Sequence, residues 1–271
     1  MSWRWPLLTL ALLVPALLVP ALLSPAPAAA YRRSTVDDIP DGIPLYWATP
    51  RVEVRLAAGT VPGVPAEDAV LAFQRSLRTW SLAGGCTSVT LVDGGEVSGL
   101  STNLGRTTPD MENRVVFRDA DWPPELGPET LALTSAVYRR TSGQIIDADI
   151  DVNAVDHVWS AGAAPVTGHD DVENTLTHEL GHALGFAHSD VADATMYASA
   201  DLEETRKRDL AEDDIIAICD VYPGGSRRGP RSSCSAAASG SRGARGWLAL
   251  AFLAMIVARG LRSSRRARRA T

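Results

Sequence analysis

Five positions in the stretch HELGHALGFAH could do chemistry together: His178, Glu179, His182, Gly185 and His188. The chain has five histidines in 271 residues, and three of them fall here, at offsets of four and then six. On a helix, residues four apart lie nearly one above the other, so His178 and His182 share a face. Two imidazoles on adjacent turns can hold one zinc ion. Glu179 sits beside them, placed to reach a water on that metal without being a ligand. A catalytic zinc keeps three protein ligands and one open position. A continued helix would carry His188 away, but Gly185 can take a left-handed backbone conformation and end the helix sharply. The chain then turns and returns His188 as the third ligand.

The elements that must position these residues are legible nearby. Val172, Leu176, Leu180 and Leu184 recur every four residues and form the buried stripe of the motif helix. Counting about 100° per residue, the histidine face lies roughly 160–200° from that stripe and looks into a cleft. Asp170 is expected to cap the helix, with Glu173 as its capping-box partner. Upstream, Arg51 to Leu56 alternates as a strand does. Ala66 to Leu82 reads as an amphipathic helix with Val70, Phe73, Leu77 and Trp80 on one face. Ser88–Val92, Arg114–Phe117, Leu131–Tyr138 and Gln144–Val152 read as further strands, the last two joined by a turn at Thr141-Ser142-Gly143. A last helix is expected from Ala211 to Val221, stopped by Tyr222-Pro223-Gly224-Gly225. Together these give one α+β domain, a mixed sheet with three helices, over residues 51–225 behind an extended lead-in at 31–50.

The longer pattern at His178–His188, H-E-x-x-H-x-x-G-x-x-H, resembles that of the metzincin zinc metallopeptidases. Met196, eight residues after His188, matches the methionine of that family's tight turn beneath the metal. Within metzincins the sequence is most similar to the matrixin, matrix-metalloproteinase-like group. Ser189 follows the third histidine, Leu210–Ile215 resembles the start of the matrixin C-terminal helix, and Asp147–Asp151 resembles the family's last strand. The resemblance implies a five-stranded twisted sheet, an active-site helix, a Met-turn and a short lower subdomain. It also implies a cleft-bordering strand at Leu131–Tyr138 that pairs with substrate backbone. It departs from animal matrixins in two places. No cysteine-bearing propeptide segment stands between Tyr31 and Arg51. Asp149 occupies a position where a histidine would hold a structural zinc, so no second zinc is expected, and His157 and His169 are expected at the surface. Asp147, Asp149 and Asp151 alternate along one strand and share a face. They are a candidate calcium site, since calcium takes carboxylate oxygens, and equally a solvated acidic face. Tyr197, adjacent to Met196, is not expected to be a ligand.

The remaining composition fits an exported protein. Residues 1–30 carry Arg4, an apolar Leu/Val/Ala/Pro run and Ala28-Ala29-Ala30, the pattern of a signal peptide cut before Tyr31. Residues 226–246 form a Ser/Arg/Gly-rich linker with Cys234. Residues 247–271 hold a short apolar segment and an arginine cluster. Cys234, the apolar segment and the arginines resemble the C-terminal sorting tails on exported proteins of myxobacteria and their relatives. The alternative is a weak membrane anchor with positive charge left inside. Either brings the chain to a membrane, so the expected location is the cell surface, the outer membrane or the extracellular space. Residues 31–225 carry a net charge of −18, whereas 226–271 hold only basic charges. The acidic body excludes nucleic acid as a partner, because phosphate would be repelled. Cys86 and Cys219 lie in the body and are expected to form a disulfide after export, the alternative being two buried thiols.

The sequence therefore predicts a monomeric, exported zinc endopeptidase acting on proteins or peptides, with Glu179 as general base. The competing reading is a surface adhesion or binding protein that uses zinc structurally.

Overall fold

Residues 30–57, 61–104 and 108–224 are described by a computed structural model. The expected signal peptide, apart from Ala30, together with Cys234, the linker and the arginine-rich tail, lies outside the described residues. Among the described residues, no helix is long and apolar enough to cross a membrane.

The alternation along β2 (Arg51–Ala57) buries Val52, Val54 and Leu56 on one side and turns Arg51 and Glu53 to solvent. β3 (Thr90–Val97), β4 (Asn113–Arg118), β5 (Ala132–Tyr138) and β6 (Ile145–Asn153) join it in one sheet of order β3-β2-β4-β6-β5. β5 alone runs antiparallel, paired with β6, and takes one edge of the sheet. α1 (Ala66–Ser81) and α2 (Val172–Ala183) pack on the apolar face, where Phe73, Leu77, Trp80, Leu176, Leu180 and Ile150 share one core. α3 (Glu212–Val221) closes the domain. Short pairs complete it: β1 (Arg32–Arg33) with β9 (Phe186–Ala187), and β7 (Trp159–Ser160) with β8 (Asp170–Asp171).

Two local expectations shift. The second strand starts at Thr90 and runs through Gly94-Gly95 to Val97 instead of stopping at Val92. A register irregularity between Val54 and Leu56 lets the pairing with β2 continue past the glycines. Ser88 is not in the sheet, because its N–H donates to the Tyr222 carbonyl at 2.8 Å. The cap of α2 is Asp171, whose carboxylate accepts from Asn174 N at 2.8 Å. Asp170 is drawn into β8 and bonds His157 Nδ1 at 2.8 Å. Glu173 pairs with Arg75 of α1 at 2.6 Å.

The face of β6 opposite the helices carries Asp147, Asp149 and Asp151, all buried. Thr102, Asn103 and Met111, between β3 and β4, and Arg114 and Arg118 of β4 supply donors to them. Asn103 N and Arg114 N bond the two oxygens of Asp149 at 2.7 and 2.8 Å, and Met111 N bonds Asp147 at 3.2 Å. Arg118 and Thr102 engage Asp151 at 2.7 and 3.0 Å. Buried carboxylates paired with N–H groups thus do on this face what apolar side chains do on the other.

Candidate active site

α2 is buried nearly all round, and Val172, Leu176, Leu180 and Leu184 form its core stripe as the spacing requires. The opposite face is not open surface, since His178 is only 7% exposed and Glu179 is buried too. The helix ends at Ala183, and its last carbonyls are capped by side chains: Trp47 Nε1 donates to Ala183 O at 2.8 Å and Tyr222 OH to Leu184 O at 2.7 Å. Gly185 then adopts φ +90°. A Cβ there would fall 2.6 Å from the Leu45 carbonyl oxygen, so the position excludes any side chain on two counts. β9 leads away along β1 and delivers His188.

The three imidazoles meet. Ring centroids are 4.8 Å apart for His178–His182, 5.3 Å for His178–His188 and 4.7 Å for His182–His188. One nitrogen from each lies within 4.8 Å of the other two. His178 Nδ1 is 2.6 Å from Thr195 O, and His182 Nδ1 is 2.8 Å from Phe186 O. A carbonyl only accepts, so each Nδ1 carries the proton and each Nε2 presents a lone pair. His182 Nε2 and His188 Nε2 face each other at 3.2 Å. Two nitrogens on a tetrahedral zinc at 2.0–2.1 Å would stand about 3.3 Å apart, so the donor set fits that ion. Burial also holds all three imidazoles below the usual histidine range, which keeps them neutral.

Glu179 reaches the same cleft. Its Oε2 lies 2.6 Å from Thr134 Oγ1, on the edge strand β5. Burial pushes its carboxyl up to about 7, against the lowering effect of the Thr134 hydroxyl. The cleft, about 1130 Å³, is lined by Leu131 and residues 132–134 of β5, by the histidines and Glu179, and by residues 198–200, Leu202 and Lys207.

Met196 packs under this floor. A Cβ at Gly181 would collide with Met196 Sδ at 2.2 Å and Trp80 Cζ2 at 2.8 Å, so helix and turn touch where the helix has no side chain. The turn is fixed from α3. Asp214 accepts from Thr195 N at 2.7 Å and Met196 N at 3.1 Å, and Asp213 from Ser189 Oγ at 2.7 Å. A continuous path therefore runs from Asp214 through Thr195 to the His178 ring.

Of the residues singled out in the sequence, His178, Glu179, His182, Gly185, His188 and Met196 come together here. Cys86 and Cys219 are joined in a disulfide, with Cα atoms 5.3 Å apart. The Asp147–Asp149–Asp151 stripe lies on the far face of the sheet. His157 is not a loose surface residue: Asp170 and the Pro128 carbonyl hold both its nitrogens. Sequence reasoning missed Thr134, Asp214, Trp47 and Tyr222. Asp214 had a signal in the Leu210–Ile215 segment and Thr134 in the expected cleft-bordering strand Leu131–Tyr138, but neither was singled out by role.

Comparison with known proteins agrees with this geometry. Residues 126–223 match the family model of the matrixins (Peptidase_M10). Metalloendoproteinase 5-MMP of Arabidopsis thaliana is 36% identical over 105 residues, covering 38% of this chain and 29% of that protein. Metalloendoproteinase 1 of Glycine max is 42% identical over 71 residues, 25% of this chain and 23% of that protein. The matched stretches thus span less than a third of either relative. The mixed five-stranded sheet, three helices and histidine triad among the described residues are consistent with a matrixin- or metzincin-type fold.

Proposed function

We propose that this matrixin-like domain is an exported zinc endopeptidase that hydrolyses peptide bonds within proteins. The observation that carries the reading is the convergence of three neutral imidazoles with a buried carboxylate in a cleft bordered by an unpaired strand edge. His178, His182 and His188, through Nε2, would hold the zinc. When bound, it supplies Lewis-acid polarisation of the peptide carbonyl and acidifies a water. The protein's own groups do the rest. Among the described residues β5 pairs with β6 alone, so its outer edge can receive an extended substrate as an added strand. Thr134 orients Glu179, which takes the proton of the attacking water at its carboxylate and passes it to the leaving amine. Thr195 and Phe186 carbonyls fix the rings of His178 and His182 so that their lone pairs point inward.

The competing reading, an adhesion protein with structural zinc, calls for a site closed by four protein ligands. Among the described residues the histidine group has three members, and a structural site gives Glu179 nothing to do. Glu179→Gln separates the two. We expect the variant to keep one zinc per chain and to lose about 10²–10⁴-fold in cleavage of a casein-type substrate. Cleavage at the parent's rate would overturn the mechanism.

Export, monomeric state and membrane contact through the tail belong to the same proposal; they rest on the signal pattern at 1–30 and the Cys234–Arg269 segment. Calcium is proposed at the aspartate stripe. The support for it is Asp147 Oδ1, buried and without a hydrogen-bond partner.

A further inference from the structure

We propose that Lys207 is the specificity-determining cation of the cleft, pairing with a substrate carboxylate next to the scissile bond. The inference rests on the peptidase reading above and adds the substrate class. Lys207 lies in a single 3-10 turn, Arg206–Arg208, clamped to the start of α2. Its backbone N donates to Asn174 Oδ1 at 2.8 Å, one helical turn before His178. The next residue, Arg208, holds the Asp171 cap through Nε at 2.8 Å. The lysine is therefore fixed to the same helix that carries the histidines and Glu179.

Lys207 is 2% exposed, yet it lines the cleft. An ammonium has three N–H donors. Among the described residues they meet one acceptor, the Tyr197 carbonyl, directly after Met196. The carboxylates whose charge reaches it are Glu204, Glu179 and Asp214. Each is engaged elsewhere: Glu204 with Arg206, Glu179 with Thr134, Asp214 with the Thr195 and Met196 N–H groups. Among the described residues no carboxylate oxygen lies within 4.0 Å of Lys207 Nζ. A buried cation without a counter-ion is costly, and this one lines the cleft. Burial accordingly pulls the ammonium below its usual range. A substrate carboxylate arriving in the cleft supplies the missing partner and reverses that cost.

The net −18 of residues 31–225 repels acidic substrates at a distance. Such fields fade beyond roughly 8–10 Å in physiological salt, whereas a contact inside the cleft is not screened. The carboxylate can come from an aspartate or glutamate side chain or from the end of a peptide. Both present the same group, and the test distinguishes them.

The full, zinc-loaded chain is first given a mixed peptide library to locate the cleaved bond. Peptide pairs then differ only by Glu or Gln at each position flanking that bond, each made as the C-terminal acid and as the amide. The parent is expected to favour the carboxylate-bearing member by about 10- to 100-fold in kcat/KM. A preference that follows Glu over Gln assigns a side chain, and one that follows acid over amide assigns a chain end. Lys207→Met should bring the ratio near one and Lys207→Arg should keep it. A parent ratio at or below one overturns the proposal, as does a preference that survives in Lys207→Met. Failure of the parent to cleave any peptide would sink the peptidase reading instead. Calorimetric binding of the same pairs to Glu179→Gln needs no turnover, and equal affinities there would dispose of the Lys207 proposal by itself.

Discussion

Gly185 does at one residue what the whole site depends on. Its φ of +90° and the Leu45 carbonyl 2.6 Å from where a Cβ would sit leave glycine alone able to turn the chain toward the other two histidines. Gly185→Ala is expected to cost about 1–3 kcal/mol of stability and to weaken zinc binding with it. Urea unfolding with zinc stoichiometry measures both, and an unchanged variant would contradict the account of the turn. This role was readable from the spacing of His182, Gly185 and His188 alone. The roles of Thr134 and Asp214 were not. Thr134 meets Glu179 across 45 residues and Asp214 meets Thr195 across 19, and no local pattern encodes which strand threonine will face which helix. The sequence announced the groups that do chemistry because their types are rare. It was silent on the common residues that aim them.

At the scale of elements, periodicity carried far. The Val172–Leu184 stripe and the alternation of β2 follow from side-chain spacing, since one face of each must be buried. Adjacent aspartates defeated it at the α2 cap. Asp170 and Asp171 are chemically alike, and the choice between them is made by His157, which holds the Asp170 carboxylate, and by Arg208, which holds Asp171. β6 is a further case. Its alternating aspartates read equally as a calcium site and as a solvated face, yet all three are buried, with Thr102, Asn103 and Met111 bonded to them. Burial pushes the Asp149 carboxyl up to about 7, the chief opposing effect being the Asn103 and Arg114 N–H groups. A folded pKa above the unfolded value of about 3.9 means that this group stabilises the fold most below about pH 4, and that its contribution is lost as pH rises through about 7. Relative to the parent, Asp149→Asn should therefore gain stability from pH 5 to pH 8 in calcium-free, zinc-containing buffer. A constant difference in unfolding free energy across that range would refute it. Calcium at the stripe would compete with the proton, so it should raise the parent's melting temperature more at pH 8 than at pH 5.

For the molecule as a whole, the disulfide joins the chain just beyond α1 to α3, closing a loop of 133 residues. It anchors the helix whose Asp213 and Asp214 hold Ser189 and the Met-turn. Replacing both cysteines by serine should cost about 2–5 kcal/mol. Thermal melting of the variant beside the parent would register it, and equal melting temperatures would show that the bridge carries no stability. Architecture was legible at this scale because one long motif fixed the family likeness, and the likeness fixed the order of helices around a mixed sheet. The geometry of the cleft wall after Met196 was not legible, since residues 198–207 carry no periodic pattern. The role proposed for Lys207 came only with its ammonium seen in the cleft, bonded to the Tyr197 carbonyl and to no carboxylate among the described residues.

The central claim is a zinc held by three imidazoles with one position left open beside Glu179. Zinc-edge X-ray absorption on the metal-loaded chain, with and without an added hydroxamate, tests it directly. The account predicts three histidine nitrogens at about 2.0–2.1 Å and a fourth position whose signal changes when the hydroxamate binds. Four protein ligands indifferent to the hydroxamate, or a spectrum unaltered in His188→Ala, would contradict it.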